Sequence, residues 1–447
     1  MKKALIITYY WPPAGGTGVQ RCLRFVKYLR NFGWEPVVYT ADNPNYPLYD
    51  ENLVKAIPEG IQTLKLKIKE PNNLFARATT AGKAGKAKVQ SNMEGKKSLF
   101  VKFMWFVRGN FFIPDARVFW VKPSARYLER YLAENKVDLI FSSGPPHSLH
   151  LIAKQLKDKL NIPTVADFRD PWTTIDYLSE MFLTPFAKKK HEKLEKLVVT
   201  SASAVTVVGR TMYNEFKEKY NRESVVIYNS YEATPPPKGG ILNPPSEGTE
   251  ASLDKKFTLV HIGSFLKNRN CDDLWEVLSE MVNEDSVFAK NLEIKLIGNV
   301  ASNVLDSIQK NKLSANLNKI DFMPYSDTLR HLYSAQVLLL PIDRIKNCEF
   351  VLTGKLFDYL KAHRPILLIG PENGDAAQVI QDCNAGYSCN FGDKAKMKNT
   401  VKHIYTLYLS GKNNIQPVNV ERYSAYETTK QLARLFDSLI IEKPAQP

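Results

Sequence analysis

Thr353, Gly354, Lys355 and Asp358 form the group whose types and spacing most plainly suit chemistry. They stand where a polar loop enters a helix, after the apolar run Val337–Pro341 and before a second run, Pro365–Ile369. In a strand, helix, strand unit of this kind, ligands lie beyond the carboxyl ends of the strands, and a helix start offers free N–H groups to anions. Gly354 permits close backbone approach and Lys355 brings positive charge. Asp358, one turn further on, is placed to accept from two neighbouring hydroxyls. Phosphate together with ribose fits that set. The competing reading is an amphipathic helix that packs Leu356, Phe357 and Leu360 on a sheet, with Lys355 and Asp358 as a solvated pair.

Other groups sit at the same kind of place. Lys267 and Arg269 follow the strand FTLVHIG, which ends at Gly263, and can reach a diphosphate. Gly298 ends the strand LEIKLIG, and Phe322 to Tyr325 form the loop after another. In the first half, Gly16 and Gly18 lie in the turn after strand one, with Arg21 where a dinucleotide fingerprint would have its third glycine. Arg21 reads either as a phosphate contact or as a surface arginine. Asp42 after strand two keeps a nicotinamide reading open. Asp167, Arg169 and Asp170 close the strand Thr164–Phe168, as site residues or as an internal Asp–Arg pair holding the loop. His147 and His150 read as acid or base candidates, or as histidines hydrogen-bonded in loop or core.

The elements that must position these groups alternate strand and helix almost throughout. Ala4–Tyr9 and Trp34–Thr40 flank a helix with Leu23, Phe25, Val26 and Leu29 as its apolar positions, stopped by Gly33. Alternation resumes at Val137, and again from Phe257 to a last helix, TTKQLARLFDSLI. A length of 447 residues suits two domains of about 200 residues each. Residues 65–121 differ. Lys83, Lys86, Lys88, Lys96, Lys97, Lys102 and Arg108 accompany the aromatic run SLFVKFMWFVRGNFFIPDARVFW, a composition that suits an anionic membrane surface. Aromatic residues that fill a core beside a mobile lysine loop are the alternative.

Composition narrows the partners. Sixty-one Lys and Arg against 46 Asp and Glu give +15, which favours anionic ligands or surfaces. Nucleic acid is not expected, since nothing here matches an RNA-binding module. Five cysteines without a CxxC pair argue for a reducing compartment. MKKALIITYY reads as a first strand rather than a leader, and no apolar run approaches the ~20 residues that span a bilayer. The expected location is cytoplasmic, peripheral at the inner face of the membrane.

The order of the N-terminal Gly-rich turn, the basic loop after a strand, LIG, DFMPYSDTLRHLYSAQVLLLP and TGKLFDYLKAHRPIL resembles glycosyltransferase family 4. The resemblance runs from Lys3 to about Ile440, leaving out the basic stretch and the Pro-rich linker. It implies an α/β chain of GT-B fold, with two Rossmann-like, doubly wound domains facing a central cleft. Residues 1–230 would hold the acceptor, with the basic, aromatic stretch as an insertion. Residues 231–256 would be a linker, 257–420 the nucleotide-sugar domain and 421–441 a helix crossing back. Residue by residue, Gly16, with Gly18 beside it, would be the turn near the donor, and Arg269 would neutralise the diphosphate. Lys355 with the backbone of Leu352 to Gly354 would face the phosphates. Gly263, Gly298, Phe322 and Pro324 would flank the nucleotide, and Asp358 would contact ribose. Asp170 lies near the family's His-Asp position.

The chain departs from the family at Ser264, in place of an arginine, at Phe350, in place of the first of two glutamates, and at Arg169, in place of the histidine. The activity implied is retaining transfer from a nucleotide-diphosphate sugar to a glycan or lipid-linked acceptor, in cell-surface polysaccharide synthesis, with no metal and no cofactor. A silent sugar-nucleotide sensor or scaffold and a nucleotide-sugar epimerase are the alternatives.

Overall fold

The computed structural model describes residues 1–70, 99–232 and 256–441. The chain divides into two compact units, residues 1–229 with 425–447, and residues 230–424. Lys83 to Lys97 and the Pro-rich stretch after Glu232 lie outside the described residues.

In unit 1, β1 (Lys2–Ile7), β2 (Trp34–Ala41), β3 (Thr63–Leu66), β4 (Leu139–Gly144), β5 (Thr164–Phe168), β6 (Ala204–Val207) and β7 (Val225–Val226) form one parallel sheet in the order β3-β2-β1-β4-β5-β6-β7. The order reverses between β1 and β4, which opens a crevice at the carboxyl ends of those strands. A parallel sheet must be covered on both faces, so its strands read as apolar runs. Ala4 and Ile6 pack on one side with Phe25, Val26 and Phe436, while Leu5 and Ile7 pack on the other with Leu128 and Leu149. Phe436 belongs to the final helix, Ala425–Ile441, which lies on unit 1. Its Asp437 accepts from the Trp34 indole at 3.1 Å and pairs with Lys2.

The stretch read as an insertion is partly core. Lys65 lies on the edge strand β3, Glu70 accepts from the Tyr9 hydroxyl at 2.8 Å, and Ile113, Ala116 and Trp120 are buried. The helix Leu99–Phe111 is another matter, because it is apolar nearly all round and only Gly109 in it is fully buried.

Unit 2 has β8 (Phe257–Ile262), β9 (Leu292–Ile297), β10 (Leu317–Ile320), β11 (Val337–Pro341), β12 (Ile366–Ile369) and β13 (Gly386–Cys389), in the order β10-β9-β8-β11-β12-β13, all parallel. The reversal falls between β8 and β11, where Val337 pairs with Leu259. A core of Leu259, Trp275, Ile294, Leu339 and Leu367 with the helix Lys394–Leu409 fills one face.

Unit 1 is fastened at its switch point by a buried ion pair. Arg21 gives Asp167 two hydrogen bonds, at 3.0 and 2.7 Å, and a third to the Tyr228 carbonyl at 3.0 Å. Ser143 and Thr206 add bonds of 2.7 Å each to the same carboxylate. Arg21 is therefore neither a surface arginine nor a phosphate contact; its fork is used. Burial alone would raise the Asp167 carboxyl, but the Arg21 charge and these hydrogen bonds outweigh it and hold it below the usual range. The stability it gives is therefore present above the ordinary carboxylate range and lost as pH falls below it. Asp167→Ala leaves the Arg21 charge buried without its carboxylate, which should cost about 3–5 kcal/mol in denaturant unfolding; a loss under about 1 kcal/mol would show that the pair does not fasten the unit.

Candidate functional site

Unit 2 gathers its candidate site residues at the carboxyl ends of β8, β9 and β11. Gly263 follows β8 with φ +99 and Gly298 follows β9 with φ +115, conformations that side chains rarely adopt. The two lie back to back. A Cβ on Gly298 would stand 2.9 Å from the Gly263 carbonyl oxygen, and one on Gly263 would stand 2.8 Å from Cε of Lys355. The site is thus made by removing side chains so that a lysine can lie across the backbone.

Lys355 opens the helix Gly354–Leu360 and turns inward. Its ammonium donates to the Ser264 carbonyl at 2.9 Å and sits 3.2 Å from Nε2 of His261. His261 is buried, and its Nδ1 lies 3.1 Å from the Leu339 carbonyl. A neutral ring that donates through Nδ1 leaves Nε2 as a lone pair for Lys355. Burial, then the Lys355 charge, hold His261 well below the usual histidine range. Burial, followed by repulsion from Arg269, brings Lys355 down to about 7. The solvated pair with Asp358 is not formed. The apolar face of this helix packs as read, with Leu356, Phe357 and Leu360 fully buried. At seven residues, the helix is short, so the lysine rather than the helix start supplies the attraction for an anion.

Arg269 reaches the same place from the turn Lys267–Arg269, but its charge is engaged. Its Nε and Nη2 meet Asp343 at 3.0 and 2.8 Å, and its Nη1 lies 3.3 Å from the Ser264 carbonyl. Two cations therefore converge on residue 264, where the family's arginine is missing. Thr353 precedes the helix with a buried Oγ1 that has no hydrogen-bond partner among the described residues. Asp358 lies half-buried near Tyr333 and Tyr359, Phe322 is 83% exposed, and Pro324 caps the helix Tyr325–Ser334. Sequence reading passed over His261 and Asp343. Each carried a faint signal: a histidine inside an apolar strand, and an acid two residues past one.

The residues read in the first half fall in unit 1. Gly16 caps the helix Thr17–Leu29 at φ +83, with open space where a Cβ would be. Gly18 presents its carbonyl to Arg169, and a Cβ there would crowd the Tyr10 ring at 3.3 Å. Arg169 also donates to the carbonyls of Gly144 and Pro145, so it ties two strand-end loops together. The internal pair of this loop is Asp167 with Arg21, not with Arg169. Asp170, half-buried, makes no hydrogen bond among the described residues, and its carboxyl is pushed up by burial, with Arg169 opposing. His147 and His150 are core groups. His147 stacks on Trp172 at 4.7 Å, and His150 Nδ1 lies 2.9 Å from the Ser142 hydroxyl. Burial holds both neutral, His150 down to about 3, which removes them as cationic acids.

Competitive acetylation with mass-spectrometric readout should give Lys355 a midpoint near 7, about three units below an ordinary lysine. Titration of Lys355 together with the surface lysines would overturn the account of a desolvated ammonium.

Residues 99–233 match the family model described as Glycosyltransferase Family 4. The match begins inside the aromatic run, which is therefore part of the family domain and not wholly an insertion. No curated protein matches by sequence. Among solved structures, sucrose-phosphate synthase from Thermosynechococcus elongatus is similar at TM-score 0.61 and 11% identity, over 99% of this chain and 100% of that one. Anabaena HepE in complex with UDP-glucose is similar at 0.58 and 12%, over 98% and 100%. A variant of S. aureus TarM, in complex with Fondaparinux, alpha-GlcNAc-glycerol and UDP, gives 0.59 and 12%, over 98% and 100%. At such identities these likenesses show the fold. Residues 99–233 thus match the family 4 model, and the chain as a whole, with its two parallel sheets, has the fold of these glycosyltransferase structures.

Proposed function

We propose that this glycosyltransferase moves a sugar, with retention, from a nucleotide-diphosphate donor to a glycan or lipid-linked acceptor in cell-surface polysaccharide synthesis. The observation that carries the donor site is the desolvated ammonium of Lys355, lying across Gly263 beside Arg269. As the bond from the anomeric carbon to the phosphate oxygen breaks, negative charge grows on the diphosphate. Fixed cations in a partly dehydrated site stabilise that charge without reorganising. An acceptor hydroxyl forms the new bond on the same face and passes its proton to the departing phosphate oxygen. Asp358 is the candidate for the ribose and Thr353 Oγ1 a donor for a phosphate. Structures of similar fold hold UDP-glucose or UDP, which favours a nucleotide in this role. Asp170 of unit 1 is assigned to the acceptor side.

The test is calorimetric binding of UDP, GDP, ADP and NAD, followed by turnover of the matching sugar nucleotide. One nucleoside diphosphate should bind, about tenfold or more weaker in Lys355→Gln and in Asp358→Ala. Affinity should fall as pH rises through 7, since only the charged lysine meets the anion. Turnover should survive chelator, because the reading routes no step through a metal. Preference for NAD, or indifference to both substitutions, would refute the site. Phe350, where the family has its first glutamate, favours a second reading, a silent sugar-nucleotide-binding protein. Tight nucleotide binding without turnover would select it.

We also propose that unit 1 docks on an anionic membrane. No described helix is long and apolar enough to cross one, yet Leu99, Phe103, Phe111 and Phe186 are 84, 59, 69 and 74% exposed. Asn110 joins the helix Leu99–Phe111 to the next aromatic group, accepting from Thr184 N at 2.7 Å and donating to the Phe182 carbonyl. Exposed Lys102, Lys188, Lys189 and Lys190 accompany these rings without an ion pair among the described residues. Rings enter the interface while lysines meet headgroups. In vesicle flotation, the triple change Phe103→Ser, Phe111→Ser, Phe186→Ser should weaken binding to phosphatidylglycerol vesicles by at least about tenfold; equal flotation of both proteins would end the membrane assignment.

A further inference from the structure

Tyr49 reverses the habit of an ordinary surface tyrosine, which buries its ring and gives its hydroxyl to water. Its hydroxyl donates to the Pro44 carbonyl at 3.1 Å and accepts from Tyr46 N at 3.4 Å, yet the residue is 54% exposed. Its polar tip is engaged inside the loop and its backbone is bridged to Ala14, so what it turns outward is ring. The buried Tyr46 ring supports it from beside, with centroids 5.5 Å apart and planes at 58°. Tyr46 is fixed in turn by its hydroxyl, which donates to the Tyr9 carbonyl at 2.9 Å, and by the rings of Tyr9 and Tyr10 at 5.5 and 6.1 Å. A ring held in place beforehand loses little entropy when a partner covers it.

The loop that carries Tyr49 follows β2 and is zipped to the glycine-rich turn after β1. Gly15 N donates to the Leu48 carbonyl and Asp50 N to the Pro13 carbonyl, both at 2.8 Å, and Ala14 pairs with Tyr49 in an antiparallel bridge. A Cβ on Gly15 would stand 2.8 Å from Cγ of Leu48, so this glycine lets the leucine close over the turn. Leu48 itself is 53% exposed. Leu48 and Tyr49 therefore stand at the carboxyl ends of β1 and β2, where the crevice of unit 1 opens. Half-buried Tyr10 continues the aromatic row: its ring meets that of Tyr46 on one side, and the guanidinium carbon of Arg169 lies 5.7 Å from its centroid.

Charge decides what these rings suit. Arg21 is engaged by Asp167, Arg169 by three carbonyls, and Arg117 by Glu70 at 2.9 Å. The start of the helix Ser148–Leu160, which follows β4, is filled by Asp115, whose carboxylate accepts from Ser148 N and Oγ at 2.8 Å each. Asp170, next in the chain to Arg169, adds a half-buried carboxylate without a hydrogen bond among the described residues. A phosphate or a uronate would find these cations engaged and a carboxylate close by. A neutral pyranose fits better, since the C–H groups on one side of its ring lie against the electron-rich face of an aromatic ring. Its hydroxyls can donate to a carboxylate. We propose that Tyr49, with Leu48 and the tyrosines behind it, is a stacking platform for an uncharged sugar ring of the acceptor glycan. The inference rests on the reading of unit 1 as the acceptor side, and deepens it by naming what is recognised there: a neutral sugar.

The experiment is binding of the full chain, with and without UDP, to an array of neutral pyranose oligosaccharides and of uronic-acid oligosaccharides, on wild type, Tyr49→Ser and Tyr49→Trp. The wild type should hold neutral glycans in preference to acidic ones. Tyr49→Ser should hold them about tenfold or more weaker, and Tyr49→Trp should keep the binding, because the ring rather than the hydroxyl carries it. Binding of acidic glycans alone, binding of none, or equal binding of neutral glycans by wild type and Tyr49→Ser would overturn the proposal. Flotation on phosphatidylglycerol vesicles should not distinguish wild type from Tyr49→Ser; a loss there would assign the ring to a membrane surface and overturn the sugar platform. Sugar transfer is measured alongside. Glycan binding that depends on Tyr49, in a protein that transfers no sugar, would keep the platform and count against the transferase reading alone.

Discussion

An ammonium group withdrawn from water and placed against the ends of two parallel strands is the constraint on which the second unit depends. Lys355 can lie there only because Gly263 and Gly298 carry no side chain and adopt positive φ, and because His261 is buried as a neutral ring with a free lone pair. Each condition follows from the switch in strand order between β8 and β11, which opens space beyond the strand ends. The cost of dehydrating the lysine is met by one carbonyl and one ring nitrogen, not by a carboxylate. Its charge is therefore left over for a ligand, whereas that of Arg269 is shared with Asp343.

Unit 1 applies the same principle with the opposite balance. Its switch point is sealed by Asp167, which gathers Arg21, Ser143 and Thr206, and its loops are joined by Arg169. These groups look like a site in one dimension because they are polar and end strands, but their hydrogen-bonding capacity is consumed in holding the sheet and loops. Asp170, half-buried at the same strand end, makes no hydrogen bond among the described residues. A polar residue with its partners satisfied has structural work; one half-buried without them has hydrogen-bonding capacity to spare.

The helix Leu99–Phe111 shows the rule for apolar residues. A helix hydrophobic on every side is normally buried, and this one presents Leu99, Phe103 and Phe111 to the outside while Gly109 sits close against Met181 and Leu183. The close approach at Gly109 fixes which side faces the protein and which stays exposed.

Sequence by itself determined the alternation of apolar strands and helices, hence two doubly wound sheets, because burial on both faces imposes continuous apolar runs that survive in one dimension. It also placed the glycines, Lys355 and Arg269 at strand ends, since those positions follow from where the runs stop. It misplaced Arg21, left the two histidines open between acid–base and core roles, and passed over His261 and Asp343. Whether a charge is free or spent depends on partners far away in the chain: Arg21 on Asp167, Arg269 on Asp343, Lys355 on His261. No local pattern encodes such a meeting. Only the tertiary structure, by bringing strand ends together and excluding water from some of them, decided which charges hold the fold and which remain for chemistry.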